Sequence, residues 1–188
     1  PLQSSSNHPP PHEGRIHSDL GHQNQRTHLD CQAIKTTSGS SAIITNNLLK
    51  DNFSPVGGEG TVSLEGNTTF STNVLRNNSA SGSGGVYVKS GTIVISNSTF
   101  EGNLGWGGPG VDPAGAIAII NGTVQITGNT IKNNQGTLAG GIYLKGNSTI
   151  TIISNNVIDG NGRDGNTGAE GVIGRAGGIF SQASNYLI

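Results

Sequence analysis

The feature that most constrains this chain is a three-part phrase that recurs along it. A glycine phrase reads "GGVYV" from Gly84, "GAIAI" from Gly115, "GGIYL" from Gly140 and "GGIF" from Gly177. A threonine phrase follows the first three at a nearly fixed offset: "GTIVI" with Thr92, "GTVQI" with Thr123 and "STITI" with Thr149, while "GTVSL" with Thr61 precedes them. The third phrase is an apolar residue, two variable ones and Asn: "FSTN" ending at Asn73, "FEGN" at Asn103, "IKNN" at Asn134 and "IDGN" at Asn161. The order is constant and the spacing is elastic only after the third phrase, so the repeat is about 25 to 37 residues long.

Each phrase is strand-like. "TIVI", "TVQI" and "TITI" alternate in face and are rich in β-branched residues. No window sustains helical spacing, and glycine every few residues would cost a helix up to ~1 kcal/mol each. Three short strands cannot bury their own apolar face, but stacking coil on coil in parallel does so, with like residues above like. The inward positions are then Val86, Val88, Ile93, Ile95, Phe100, Ile117, Val124, Ile126, Ile131, Ile142, Leu144, Ile150, Ile152 and Ile158. Such a narrow core suits a chain with 31 Gly and only 31% hydrophobic residues. Asn fits the corners, because it tolerates left-handed backbone and its amide both donates and accepts. One ladder is expected from Asn67, Asn97, Asn129 and Asn155, and another from Asn73, Asn103, Asn134 and Asn161.

These phrases resemble the GGAI and FxxN repeats of the chlamydial polymorphic outer membrane proteins, and the wider group of bacterial autotransporter passengers and adhesins. The resemblance spans about residues 40 to 181; two of the four third phrases carry Phe, and Ile131 and Ile158 replace it in the others. It implies an all-β, right-handed parallel β-helix of about five coils, in a secreted or cell-surface structural or adhesive protein. A host or cell-surface glycan or protein is the partner it implies.

The rest of the chain narrows the function. Residues 1–36 hold all five histidines and no apolar period, and read as an irregular tail or cap on a single domain at 37–188, one whose C-terminus reads as truncated. The histidine spacing completes no metal site, and the lone Cys31 forms no intrachain disulfide. A net charge of −1 gives no pull toward nucleic acid, and no apolar run is long enough to insert in a membrane. Six Asn-x-Ser/Thr triplets, at Asn52, Asn67, Asn77, Asn97, Asn121 and Asn147, read as products of an Asn-rich composition. Unpaired strands at either end of a solenoid invite end-to-end self-association or a capping chain.

Chemistry has few places to sit. The repeat region has no His and no neighbouring Asp pair, against the two positioned titratable groups that acid–base catalysis needs. The chain is therefore expected to be non-catalytic, without a cofactor or a metal. The competing reading is a polysaccharide lyase or hydrolase, or its carbohydrate-binding remnant; Ca²⁺ is the cofactor that lyases of this fold would bring. Charge gathers in two elastic insertions: 104–114 carries Trp106 and Asp112, and 162–176 carries Arg163, Asp164, Glu170 and Arg175. Both precede a glycine strand, so they are expected on one side of the cylinder as a shared ligand groove. A third use of such a fold, binding ice through a flat Thr-lined face, is disfavoured at this level: one Thr recurs per coil, and Lys89, Lys132 and Lys145 are expected to interrupt the surface.

Overall fold

The computed structural model describes residues 32–55, 59–107, 111–163, 176–183 and 186–188, with the backbone alone at 146–150 and 163. Every strand pair in it is parallel, and the strands form three sheets that run the length of a β-solenoid. The second sheet stacks Leu48–Lys50, Val74–Arg76, Thr99–Glu101, Thr130–Lys132 and Val157–Asp159. The third stacks Phe53–Ser54, Ser79–Ala80, Leu104–Gly105, Gln135–Gly136 and Gly162–Arg163. The first sheet is wider. In the early coils it has two rows, the glycine-phrase strands (Ile34–Lys35, Val62–Leu64, Val86–Val88) and the threonine-phrase strands (Ser41–Thr45, Asn67–Ser71, Thr92–Ser96). The long strands Ile117–Thr127 and Ile142–Ser154 then join both rows. The all-β repeat architecture is the expected one. The sheet begins at Ile34–Lys35, paired with Val62–Ser63, just inside the segment assigned to the tail.

Alternation puts one side of each strand into a narrow core. Val86, Val88, Ile93, Ile95, Phe100, Ile117, Val124, Ile126, Ile131, Ile142 and Leu144 are all buried there, with Ile158 packed at its edge. Phe70 and Phe100 meet at a centroid distance of 6.5 Å, tilted by 32°. The fifth coil departs from expectation. Ile152 faces outward, and Thr151 and Ile153 point inward instead, because Thr123 pairs with Ile150 rather than Thr149. Irregularities between Ile119 and Asn121 and between Gly122 and Thr123 shift the register, and a one-residue slip exchanges every side chain's face. The Thr151 hydroxyl is left buried with no hydrogen-bond partner among the described residues.

The second coil is also threaded differently from its apparent phrases. "GTVSL" is a glycine-row strand, since Val62 and Leu64 pair with Val86 and Val88. Phe70 of "FSTN" pairs with Ile95 in the first sheet, while the counterpart of Phe100 is Leu75. The segment equivalent to "FEGN" is therefore "LRNN", ending at Asn78.

The corners divide between two adjacent residues the jobs assigned to one Asn. The first is left-handed, as at Asn46, Thr72, Asn97, Gly128 and Asn155 before the second sheet, and at Asp51, Asn77, Gly102, Asn133 and Gly160 before the third. The next residue is the ladder residue. One ladder runs Asn47, Asn73, Ser98, Asn129, Asn156; the other runs Asn52, Asn78, Asn103, Asn134, Asn161. Within a ladder, each residue's backbone N–H donates to the side-chain oxygen of the residue one coil on; an Asn that follows another coil also donates Nδ2 to a carbonyl of the coil before. Asn103, for example, donates Nδ2 to Leu75 O at 3.0 Å. The expected memberships change accordingly. Asn97 and Asn155 are the left-handed residues beside the first ladder, Asn67 is an exposed strand residue, and Asn73 belongs with Asn129 rather than with Asn103.

The outward face of the threonine row is three straight lines of side chains. Ser41, Asn67, Thr92 and Thr123 form one, Ile43, Thr69, Val94, Gln125 and Ile152 the next, and Thr45, Ser71, Ser96, Thr127 and Ser154 the third. None of the three expected lysines lies there: Lys132 is in the second sheet, and Lys89 and Lys145 follow glycine-row residues.

Candidate functional site

Trp106 continues the third sheet. Its backbone N–H donates to Ala80 O at 2.9 Å, one step past Leu104–Gly105. The indole Nε1–H donates to Ser79 Oγ at 3.0 Å, and the ring lies 6.3 Å from that of Phe53 with an 18° angle between planes. The side chain therefore reaches back across the outside of the third sheet to a residue two coils away. Its polar edge is satisfied and its orientation fixed, while Phe53 remains 46% exposed.

Asp112 goes elsewhere. It is buried, and its Oδ2 accepts from Lys145 Nζ at 2.7 Å, outside the glycine row. A second apolar cluster gathers there from Tyr87, Ala118 and Tyr143, covered by Ala114, Leu138 and Ala139. Single bridges align Ala114 with Ala139 and Ala139 with Ala176 at the entry to the glycine row. Trp106 and Asp112 take different partners, Ser79 and Phe53 for the one and Lys145 for the other. Arg163 contributes backbone pairing with Gly136, and its side chain, with Asp164, Glu170 and Arg175, lies outside the described residues.

A charged cluster that sequence reasoning missed sits at the start of the glycine row. Glu59 Oε2 accepts from Gln32 Nε2 at 2.7 Å and Ser63 Oγ at 2.8 Å, and Oε1 accepts from Lys89 Nζ at 2.8 Å. Lys35 lies 3.5 Å away, and Lys89 also reaches Glu65 at 3.2 Å. The Thr36 hydroxyl receives the Glu65 N–H and donates to Glu65 O. The parallel pairing of Ile34–Lys35 with Val62–Ser63, and of Val62–Leu64 with Val86–Val88, brings these groups together.

Burial pushes the Glu59 carboxyl up, but hydrogen bonds from Lys89 and Ser63 and the charges of Lys89 and Lys35 outweigh it and hold the group below its ordinary 4.5. A depressed carboxylate contributes stability that is present above the unfolded value and lost as pH falls through the folded one. Acid titration from pH 6 downward should thus release the Ile34–Lys35 strand below about pH 4.5, read by hydrogen exchange at the flanking Ala33 and Thr36, whose N–H groups bond Thr61 O and Ser63 O. Glu59→Gln should remove most of that pH dependence.

Two further titratable groups are shifted by their neighbours. Burial, then the nearby Asp112 and Glu59 carboxylates, push the Tyr87 phenol up to about 12, against the opposing charge of Lys89. In the second sheet Glu101 bonds Lys132 at 2.9 Å and Arg76 at 2.7 Å, and the Lys132 bond, reinforced by Arg76, holds its carboxyl low. Among the described residues no three His, Cys, Asp or Glu gather as a metal site, and no helix is long and apolar enough to cross a membrane.

Compared with protein families, residues 23–187 match the model of a right handed beta helix region. The chain shows no match to curated proteins or to solved structures.

Proposed function

The chain belongs to the right-handed beta-helix family, and from that premise we propose that it is a secreted or cell-surface module that adheres through surfaces held on a rigid solenoid, without catalysis. The observation that carries this reading is the state of the carboxylates that face the glycine row and the second sheet among the described residues. Glu59, Glu65, Glu101 and Asp112 are each held by a lysine or arginine, and Glu59 and Glu101 are pushed further from neutrality rather than toward it. Catalytic acids and bases are poised near the working pH, and a carboxylate held low by cations is a poor proton donor there. The reading of a polysaccharide lyase or hydrolase, with or without Ca²⁺, loses weight for the same reason.

The adhesive contact proposed is the Phe53–Trp106 pair. Parallel-oriented rings on a sheet surface, one fixed by Ser79, offer a prepared apolar platform for the flat face of a sugar ring. A glycan array and a lyase screen with and without Ca²⁺ test both halves. Binding without product release is expected, and Trp106→Ala should abolish it with the circular dichroism spectrum unchanged. Release of unsaturated or shortened glycan would overturn the non-catalytic reading.

A further inference from the structure

We propose that the outward face of the threonine row binds ice. Its three lines of side chains contain no charged residue; the described charges sit on the second sheet, at a corner, or beside the glycine row. The backbone makes this face a two-dimensional lattice. Neighbouring strands repeat at about 4.8 Å, and outward residues within a strand at about 6.7 Å. The register is unshifted from Ser41–Thr45 through Asn67–Ser71 and Thr92–Ser96 to Thr123–Thr127. Thr69, Val94 and Ile43 are β-branched and stiff at χ1, so hydroxyls and methyl groups are held at lattice points rather than sampled.

What such a face can hold follows by exclusion. It measures roughly 14 by 19 Å from those spacings, well short of the ~800 Å² that each partner gives to a stable protein pair, so a second copy of the chain is disfavoured. Without charge it has no hold on an anionic polymer or a lipid headgroup. Its three lines carry no aromatic ring on which a sugar could stack: Phe53 and the half-buried Trp106 lie on the third sheet, and Tyr186, at the end of the row, pairs with the inward-facing Thr151. A neutral, rigid, periodic surface bound through many weak contacts remains, and ice is that surface: methyl groups and hydroxyls side by side order water on a spacing comparable to its lattice. The lysines that would disturb the layer are on other faces, tied to Glu59, Glu65, Glu101 and Asp112.

The proposal goes beyond the adhesive reading and is tested separately from it, because Trp106→Ala leaves this face untouched. Nanolitre osmometry on the full chain should show thermal hysteresis and faceted ice crystals. Thr92→Lys and Thr123→Lys, both exposed, should each lose most of the hysteresis with unchanged circular dichroism, while Val157→Lys on the second sheet should retain it. Absence of hysteresis and ice shaping in the unsubstituted chain would overturn the proposal. So would hysteresis equal in Thr123→Lys, or retention on microcrystalline cellulose or chitin that Thr123→Lys abolishes, which would make the face a neutral-polysaccharide site.

Discussion

Asn103→Ala should destabilise the protein by roughly 3 kcal/mol, lowering the midpoint of thermal unfolding by about 10 °C. Asn103 is buried, and its Oδ1 accepts from the backbone N–H and the Nδ2 of Asn78, both at 3.0 Å. Its Nδ2 donates to Leu75 O and to Asn134 Oδ1. Removing the amide orphans the Asn78 backbone N–H and one of the two Asn78 Nδ2 hydrogens, the other keeping Leu49 O, and takes one bond from the strand-paired Leu75 carbonyl; the Asn134 oxygen keeps the Asn103 N–H. Each orphaned group costs about 1–3 kcal/mol, reduced where water can enter. Asn52→Ala supplies the contrast. Asn52 only donates at the half-buried end of this ladder, and the Asn78 oxygen it leaves still receives the Asn52 N–H, so the loss should stay below about 1 kcal/mol. Equal losses for the two variants, measured by thermal circular dichroism, would mean that the ladder does not hold the coils together.

The repeat was legible where the phrases are intact and misleading where they are imitated. Coils carrying "GGVYV", "FEGN" and "IKNN" declare their register, because a glycine pair, an alternating run and a corner Asn each fix one point of the turn. "FSTN" has the letters of the third phrase, yet Phe70 belongs to a first-sheet strand, since a period of two gives the same alternation in every sheet. "STITI" has the letters of the second, and one extra residue inside it, Thr149 between Ser148 and Ile150 where Gly122 and Thr123 are consecutive, moves it by one residue. The corner was half legible. Tolerance of left-handed backbone and laddering are both Asn properties, and adjacent Asn residues such as Asn77–Asn78 and Asn133–Asn134 hide which residue does which.

At the candidate site, Trp106 was visible as the only tryptophan, but its partner Phe53 was not, because the indole crosses two coils to reach it. The Glu59 cluster had no sequence signal at all. Lys35, Glu59 and Lys89 stand at unrelated points of the phrase and become neighbours only through parallel pairing of the glycine row. The charge-free outward face failed to register for the opposite reason: counting one Thr per phrase overlooks Ser, Asn and Ile at the equivalent positions of other coils, and places lysines on a face they do not share.

Gly85→Ala should also cost about 3 kcal/mol, and it tests why glycine and phenylalanine occur in one phrase. A Cβ at Gly85 would collide with the carbonyl oxygen of Ala116 on the next coil and come within 3.0 Å of Phe100 Cδ1. That carbonyl cannot retreat, because it accepts from Val86 N–H at 2.8 Å and from the Ser83 hydroxyl at 3.0 Å. Gly178 stands at the equivalent position near the C-terminal end, where a Cβ would meet, among the described residues, only Ile158 Cγ2, at an ordinary 3.7 Å. Gly178→Ala should therefore change stability by less than about 0.5 kcal/mol. Trimming the ring does not relieve the backbone contact, so Phe100→Leu combined with Gly85→Ala should be no more stable than Gly85→Ala alone in urea unfolding. Rescue in that double variant would place the constraint in the aromatic ring; its absence places it in the spacing of coils. The glycine pair then answers to the close approach of stacked backbones, which is why it recurs from coil to coil.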